Sequence, residues 1–190
     1  MADVTVGEAL PEFDERALVE RAQQGDAEAL SELYERYLPR VYRFVAARLR
    51  RTEDVEDVTE EVFLKVIDNL GRYRWRGLPF GAWVFRIARN EVVTFIRRQK
   101  LREHTDPLDD RIRDSESGQA VRIEERDRME AVRAAISQLP PAQREVIELR
   151  FVAGLSVAET AKVLGKSENN VKVLQHKGIA RLQRLLKEWR

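Results

Sequence analysis

The stretch Ser156–Arg184, SVAETAKVLGKSENNVKVLQHKGIARLQR, reads as a short helix, a tight turn and a longer helix. Ser156 stands three residues before Glu159, the spacing of a capping box, so a helix opens there and runs to Leu164. Gly165 and Lys166 make the turn, Ser167 is the next N-cap, and a helix follows from Glu168 to about Lys187. At about 100° per residue, Val171, Leu174, Gly178, Leu182 and Leu185 share the side that faces a core. The opposite side presents Asn169, Lys172, Val173, His176, Lys177 and Arg184. This is the size and punctuation of a helix-turn-helix, whose second helix lies in the major groove. Asparagine can read adenine at two points and lysine can reach guanine acceptors, each good pairing giving about 1–3 kcal/mol of discrimination. The alternative is a solvated face on an ordinary helical hairpin.

Upstream of this stretch, helical pattern resumes near Ile123, breaks at Pro140 and Pro141, restarts at Ala142 and stops around Gly154. The segment from Glu103 to about Gly118 holds Pro107, Ser115, Ser117 and six acids but few large apolar residues, so it cannot bury enough surface to offset its ordering entropy. Before it, the spacing predicts a helix from about Ala82 to Leu101, preceded by a loop over Arg72–Gly81. Val55, Val58, Val62, Phe63, Val66, Ile67 and Leu70 form the buried stripe of an earlier helix that Gly71 stops. A further amphipathic helix spans Ala29–Leu49, with a kink expected at Pro39, and the first 14 residues read as a loose tail. The fold class is therefore all-α, with two small helical domains, 15–102 and 123–190, joined by a flexible acidic linker, 103–122.

Composition narrows the function classes. The chain has 190 residues, 43% of them hydrophobic, enough for a core in each of two small domains. Charged residues make up 35% and aromatics 7%, and no regular valine or isoleucine alternation predicts a strand. With no cysteine there is no disulfide framework, thiolate metal site or cysteine nucleophile, and a cytoplasmic location fits. Met1–Phe13 lacks the basic and apolar regions of a signal peptide, and no run approaches the roughly 18 apolar residues of a membrane span, so no membrane insertion is expected. The net charge of +1 hides a segregation. Residues 86–102 carry six basic and one acidic residue, residues 166–190 carry seven and two, and residues 103–130 between them carry five and ten. Two basic modules separated by an acidic stretch suit a protein that touches a polyanion at two places.

Three further constellations bear on chemistry. Tyr73, Trp75 and Phe80 alternate with Arg72, Arg74 and Arg76 in the loop before the 82–101 helix. Such interleaving offers faces on which unpaired bases stack, at about 1–3 kcal/mol per base, while the cations hold the backbone. Core packing is the competing reading, favoured for Trp83 and Phe85 and level with stacking for Trp75. On the helix itself Arg86, Asn90, Thr94 and Arg97 share one side, with Arg89 and Arg98 near its edges. Glu53, Asp54, Glu56, Asp57, Glu60 and Glu61 crowd one short stretch with no histidine nearby, which favours a solvated face or a docking face over metal binding or acid–base catalysis. His104 and His176 lie far apart in sequence, so no metal and no cofactor is expected.

Together these motifs resemble the sigma-70 family, and within it the extracytoplasmic-function group, over residues 15–102 and 123–187. Val55-Glu56-Asp57-Val58-Thr59-Glu60-Glu61-Val62-Phe63 is similar to the family's core-polymerase docking helix, with Glu60 where glutamine is usual. The resemblance implies that Asp54, Asp57, Glu60, Glu61 and Phe63 meet the clamp helices of the largest subunit of bacterial core RNA polymerase. Phe80-Gly81-Ala82-Trp83-Val84-Phe85-Arg86-Ile87-Ala88-Arg89-Asn90, continuing to Ile96-Arg97-Arg98, is similar to the −10 recognition and strand-opening region. It implies single-stranded −10 contacts from Arg74, Trp75, Arg76, Arg86, Arg89, Asn90, Arg97 and Arg98, capture of a flipped base by the preceding loop, and a packing role for Trp83. Leu139-Pro140-Pro141-Ala142-Gln143-Arg144-Glu145-Val146 and Gly154-Leu155-Ser156-Val157-Ala158-Glu159-Thr160-Ala161 resemble the start of the −35 domain. Duplex contacts are then implied for Ser167, Asn169, Asn170, Lys172, Val173, His176, Lys177 and Arg181. Asn169-Asn170 replaces the usual Gly-Thr pair, and Leu174-Gln175 inverts the usual basic-then-leucine order.

The resemblance implies a non-enzymatic sigma factor whose partners are core polymerase, through clamp helices and flap, and promoter DNA, duplex and single-stranded. An anti-sigma factor, frequent in the group, is a candidate partner. The rivals are a polymerase-independent helix-turn-helix regulator of duplex operators, a metal-dependent nuclease using the acidic cluster, and a protein-binding scaffold. The scaffold gives no reason for two basic helices.

Overall fold

Aspartates cap the first two helices. The computed structural model describes residues 14–105 and 130–187, and within them Asp14 accepts from the backbone N–H of Arg16 and Ala17, both at 3.0 Å, to start α1, Glu15–Gln23. Asp26 accepts from Glu28 and Ala29 at 3.0 and 3.1 Å to start α2, Ala27–Ala46. Apolar periodicity alone begins the pattern at Ala29. Helix α1 escapes it because only Leu18, Val19 and Ala22 of its short span are buried.

Helix α2 runs through Pro39 as one element, where a kink was predicted, with Pro39 on the exposed side. Helix α3, Thr52–Leu70, ends before Gly71 as expected, but Gly71 has φ −61 and so forms no left-handed cap. Helix α4, Phe80–Thr105, outlasts its predicted end at Leu101 by one turn. Phe44 and Phe85 meet edge to face at 5.6 Å between centroids, and Tyr37 meets Phe80 at 5.5 Å. Gly81 permits the second of these contacts, since a Cβ there would lie 2.9 Å from the Tyr37 hydroxyl. That hydroxyl donates to Glu15, tying α1 to the bundle, and burial pushes the phenol far above its usual range so that it stays a donor.

The second unit comprises α5 at residues 130–137, α6 at Pro141–Ile147, α7 at Val157–Leu164 and α8 at Glu168–Lys187. Pro141 sits in the first turn of α6, where its missing N–H costs nothing. Helix α6 widens into a π-helical turn over Glu148–Val152. The predicted capping box is present: Glu159 N–H donates to Ser156 Oγ at 3.1 Å and Ser156 N–H to Glu159 Oε2 at 2.7 Å. Gly165 takes the left-handed conformation at φ 61 that turns α7 into α8. No strand occurs among the described residues, in accord with the all-α expectation.

The two units share a core. Val146, Ala161 and Val171 form a small cluster within the second unit, whereas Leu149, Ala153, Leu155 and Val163 are buried in the apolar cluster of the first. A unit of about 60 residues buries only about 60% of its unfolded surface alone, so the second unit gains by covering this face. Glu148, 1% exposed, pairs across the junction with Arg48, 8% exposed. Burial pushes the Glu148 carboxyl up, and the neighbouring Arg48 only partly offsets this. The expected linker 103–122 is helical at its start, through Thr105, and its remainder lies outside the described residues, as does the expected N-terminal tail up to Phe13.

Candidate nucleic-acid interface

Helix α8 is set by its N-terminal cap and one close crossing. Ser167 Oγ accepts from Asn170 N–H at 3.2 Å, and Gly178 packs so close to α6 that a Cβ there would lie 2.9 Å from Ile147 Cγ1. Val171 and Gly178 are thereby buried and Leu174 half-buried, the side the spacing predicted. Ser167, Asn169, Asn170, Lys172, Val173, His176, Lys177 and Arg181 are all exposed. Gln175 faces inward and accepts from Arg150 Nε at 2.9 Å. The exposed side offers two amides, two ammonium groups, a guanidinium and an imidazole, the donors that a major-groove edge and its phosphates accept from.

The second basic surface is centred on α4. Trp83, Ile87 and Asn90 recur at helical steps and, with Lys65 and Asn69 of α3, line a polar cleft of about 270 Å³. Tyr73 lies beneath Trp83, ring centroids 4.9 Å apart and planes 41° from parallel, and Arg72 stands at the rim. Lys65 Nζ donates to Glu91 Oε2 at 2.6 Å and pairs with Glu61 at 3.1 Å, bonds that hold the ammonium charged. Tyr73 donates its hydroxyl to the Leu78 carbonyl at 2.7 Å, fixing the loop before α4. The result is an aromatic floor walled by two amides, the Lys65–Glu91 ion pair and Arg72, shaped for a planar base that has left its stack.

The predicted −10 residues divide around this cleft. Asn90 lines it. Arg74, Arg76, Arg86, Arg97 and Arg98 are exposed outside it, with Arg74 donating to the Gly71 and Tyr73 carbonyls at 2.8 Å. Trp75 packs edge-on against Tyr73 at 5.4 Å, its Nε1 is buried without a hydrogen-bond partner, and it does not line the cleft. Arg89 is turned toward the second unit, donating to Glu145 at 2.8 Å. Phe80 and Phe85 are fully buried, as the packing reading held. Trp83, for which packing was favoured, packs and lines the cleft at once. Lys65, Asn69 and Glu91 were not singled out from the sequence. Their signal was the i, i+4 step from Lys65 to Asn69 and the i, i+4, i+8 step from Trp83 through Ile87 to Glu91.

The predicted docking helix is α3. Asp57, Glu60 and Glu61 are exposed and Asp54 half-exposed, whereas Phe63 is buried against Tyr34 at 4.7 Å. Phe63 instead walls an apolar groove of about 270 Å³ between α2 and α3, with Leu30, Tyr34 and Ile67. Glu60, Leu64 and Ile67 fall at helical steps, so exposed acidic and apolar groups share one side of α3. Among the described residues no cluster of three or more histidine, aspartate or glutamate side chains is placed to hold a metal ion, and no helix is long and apolar enough to cross a membrane.

Comparison with known proteins places both units. The family model described as Sigma-70 region 2 matches residues 33–102, and that described as Sigma-70, region 4 matches residues 129–182. The ECF RNA polymerase sigma factor BldN of Streptomyces coelicolor is 39% identical over 171 residues, 89% of this chain, and the chain spans 64% of BldN's length. The ECF RNA polymerase sigma factor ShbA of Streptomyces griseus is 34% identical, covering 90% of this chain and 95% of its own. Among solved structures, CnrH in complex with the cytosolic domain of CnrY superposes with a TM-score of 0.71 at 26% identity, covering 92% of this chain and 97% of CnrH.

Proposed function

The chain belongs to the extracytoplasmic-function group of the sigma-70 family, and from that premise we propose that it binds bacterial core RNA polymerase and directs promoter-specific transcription initiation. The observation that carries the reading is the pairing, on one chain, of an exposed basic recognition helix with a separate aromatic-floored cleft. Duplex DNA at the −35 element is held by α8, through Ser167, Asn169, Asn170, Lys172, Val173, His176, Lys177 and Arg181. An unpaired −10 base enters the cleft beside Trp83 and Asn90, while Arg74, Arg76, Arg86, Arg97 and Arg98 hold the backbone. Strand opening is then driven by the binding of bases that have already unstacked, and no bond is made or broken by the protein.

Docking falls to α3. Asp54, Asp57, Glu60 and Glu61 present the acidic face to the basic clamp helices, and the groove behind Phe63 takes apolar side chains from the same partner. The proposed domains are a −10 domain at 15–102, a linker at 103–122 and a −35 domain at 123–190, working where the polymerase works, in the cytoplasm. An inhibitory protein partner belongs to this proposal, since CnrH is solved with the cytosolic domain of a second protein.

Co-elution with core polymerase tests the reading, wild type beside Asp57→Arg and Glu61→Arg, followed by transcription from a pool of genomic fragments. Binding that is lost in both reversals, with transcripts starting downstream of a shared two-part motif, is the expected result. Sequence-specific duplex binding by the protein alone, with no polymerase binding, would replace the reading with an operator-binding regulator.

A further inference from the structure

We infer that Val173 is a methyl reader: it meets the C5-methyl of a thymine in the major groove, about one or two base pairs from an adenine held by Asn169. The inference rests on the duplex-binding role proposed above for α8 and names the chemical groups that this role reads. Val173 breaks two local rules at once. It is 44% exposed, while Val171 is buried and Leu174, Leu182 and Leu185 are half-buried. Two residues on, Gln175 is turned inward to accept from Arg150 Nε. An apolar side chain therefore stands outside and a polar one inside within the same turn. Helix formation does not explain Val173 either, since a β-branched residue on a solvated face serves a helix less well than alanine or lysine. Breaches of local consistency of this kind concentrate at functional sites.

The crossing of α8 over α6 fixes what surrounds Val173. Gly178 lies against Ile147, where a Cβ would come within 2.9 Å of Cγ1, so this close approach sets which side of α8 faces inward. At about 100° per residue, Asn169, Val173 and His176 fall within about 60° of one another, opposite Gly178. Lys172 flanks this strip on one side and Lys177 and Arg184 on the other, all exposed. An amide, a branched hydrocarbon and an imidazole bordered by cations on both edges match a groove whose floor presents base edges and whose rims are phosphates. Thymine is the base that offers a hydrocarbon group on that floor. The helix holds the two methyls of Val173 in one strongly preferred rotamer, so little side-chain freedom is lost on contact. Asn169 stands in the first turn, where recognition helices meet base edges, and its amide matches N6 and N7 of adenine. Four residues of helix rise about 6 Å, against about 3.4 Å per base pair, which sets the spacing of the two contacts.

The test uses a duplex selected from a random pool by the full chain with core polymerase, or by the full chain alone where polymerase does not bind. Each thymine of that duplex is replaced in turn by deoxyuridine, which removes only the methyl. At one position wild type should lose about three- to fivefold in affinity, and Val173→Ala should bind the thymine and uracil forms equally. Within about two pairs of that position, 7-deazaadenine in place of one adenine should cost wild type about tenfold and cost Asn169→Ala nothing. Lys172→Ala should weaken every form by the same factor, because a phosphate contact carries no base identity. Val173 is exposed, so circular dichroism should find Val173→Ala folded like wild type. Failure to select any duplex, a wild type indifferent to every methyl, or a preference that survives in Val173→Ala or Asn169→Ala overturns the inference. Methyl dependence in the chain alone, with no polymerase binding, leaves the inference standing and strikes only the proposed role in transcription initiation.

Discussion

The first unit closes its core on interlocking rings, Phe44 on Phe85 and Tyr37 on Phe80, whereas the second leaves Leu149, Leu155 and Val163 to be buried by its neighbour. The difference separates a platform that completes its own core from a reader that completes its core on a neighbour. Pre-shaped clefts belong on the platform, because base capture needs side chains already in place. The recognition helix keeps its own local supports, the Ser167 cap and the Gly165 turn that joins it to α7, regardless of what covers its back.

The largest expected effect lies in the platform. Phe85→Ala removes a fully buried ring and should cost about 3–5 kcal/mol, read by urea denaturation followed by circular dichroism. A loss under about 1 kcal/mol would mean that the first unit does not depend on its aromatic core. Leu149→Ala, equally buried but at the junction, should cost less, about 2–3 kcal/mol, because the two units can shift to close the void. Hydrogen exchange sharpens the contrast. Protection should fall across residues 141–164 in Leu149→Ala while α1 to α3 keep theirs, and uniform loss would show a single cooperative unit.

Next in size are the binding surfaces. Trp83→Ala should weaken holoenzyme binding to a forked −10 probe by about 1–3 kcal/mol, and Trp75→Ala by clearly less, since only Trp83 lines the cleft. Equal losses, measured by competition titration, would move base capture back to the loop. Lys172→Ala should leave forked-probe binding intact and weaken duplex binding, lowering the salt-dependence slope by about one if the ammonium sits on a phosphate.

Much of this organisation is legible in the sequence where local chemistry decides it. The capping box at Ser156 and Glu159, the Gly165 turn and the exposed side of α8 depend on residues within one or two turns of each other. The cleft is not local. It needs α3 beside α4, and only that pairing brings Lys65 and Asn69 to Trp83 and Asn90. The junction is less legible still. Glu148 reads as one more surface acid in a chain with 33 of them, and its burial follows from Arg48, a hundred positions away. Phe63 carries both of its readings at once: its helical stripe turns it inward against Tyr34, and the same ring walls the apolar groove between α2 and α3.

The smallest effects discriminate between the caps of the two units. Ser156 caps α7 with a hydroxyl, so Ser156→Ala should cost about 1 kcal/mol at every pH at which the chain is folded. Asp26 caps α2 with a carboxylate, held below its usual value of 3.8 by the Ala29 N–H and then by Arg21. A depressed folded value means that the unfolded chain binds the proton more readily, so the cap stabilises above the ordinary aspartate range and is lost as pH falls through the folded value. Asp26→Asn, which keeps a capping oxygen without the charge, should therefore match wild type in strong acid and fall behind it near neutrality. Thermal melts of the three proteins at matched ionic strength, from neutral pH down to pH near 3, would test this. A pH-dependent difference between Ser156→Ala and wild type, or a flat one between Asp26→Asn and wild type, would show that the caps do not differ in the way their chemistry requires.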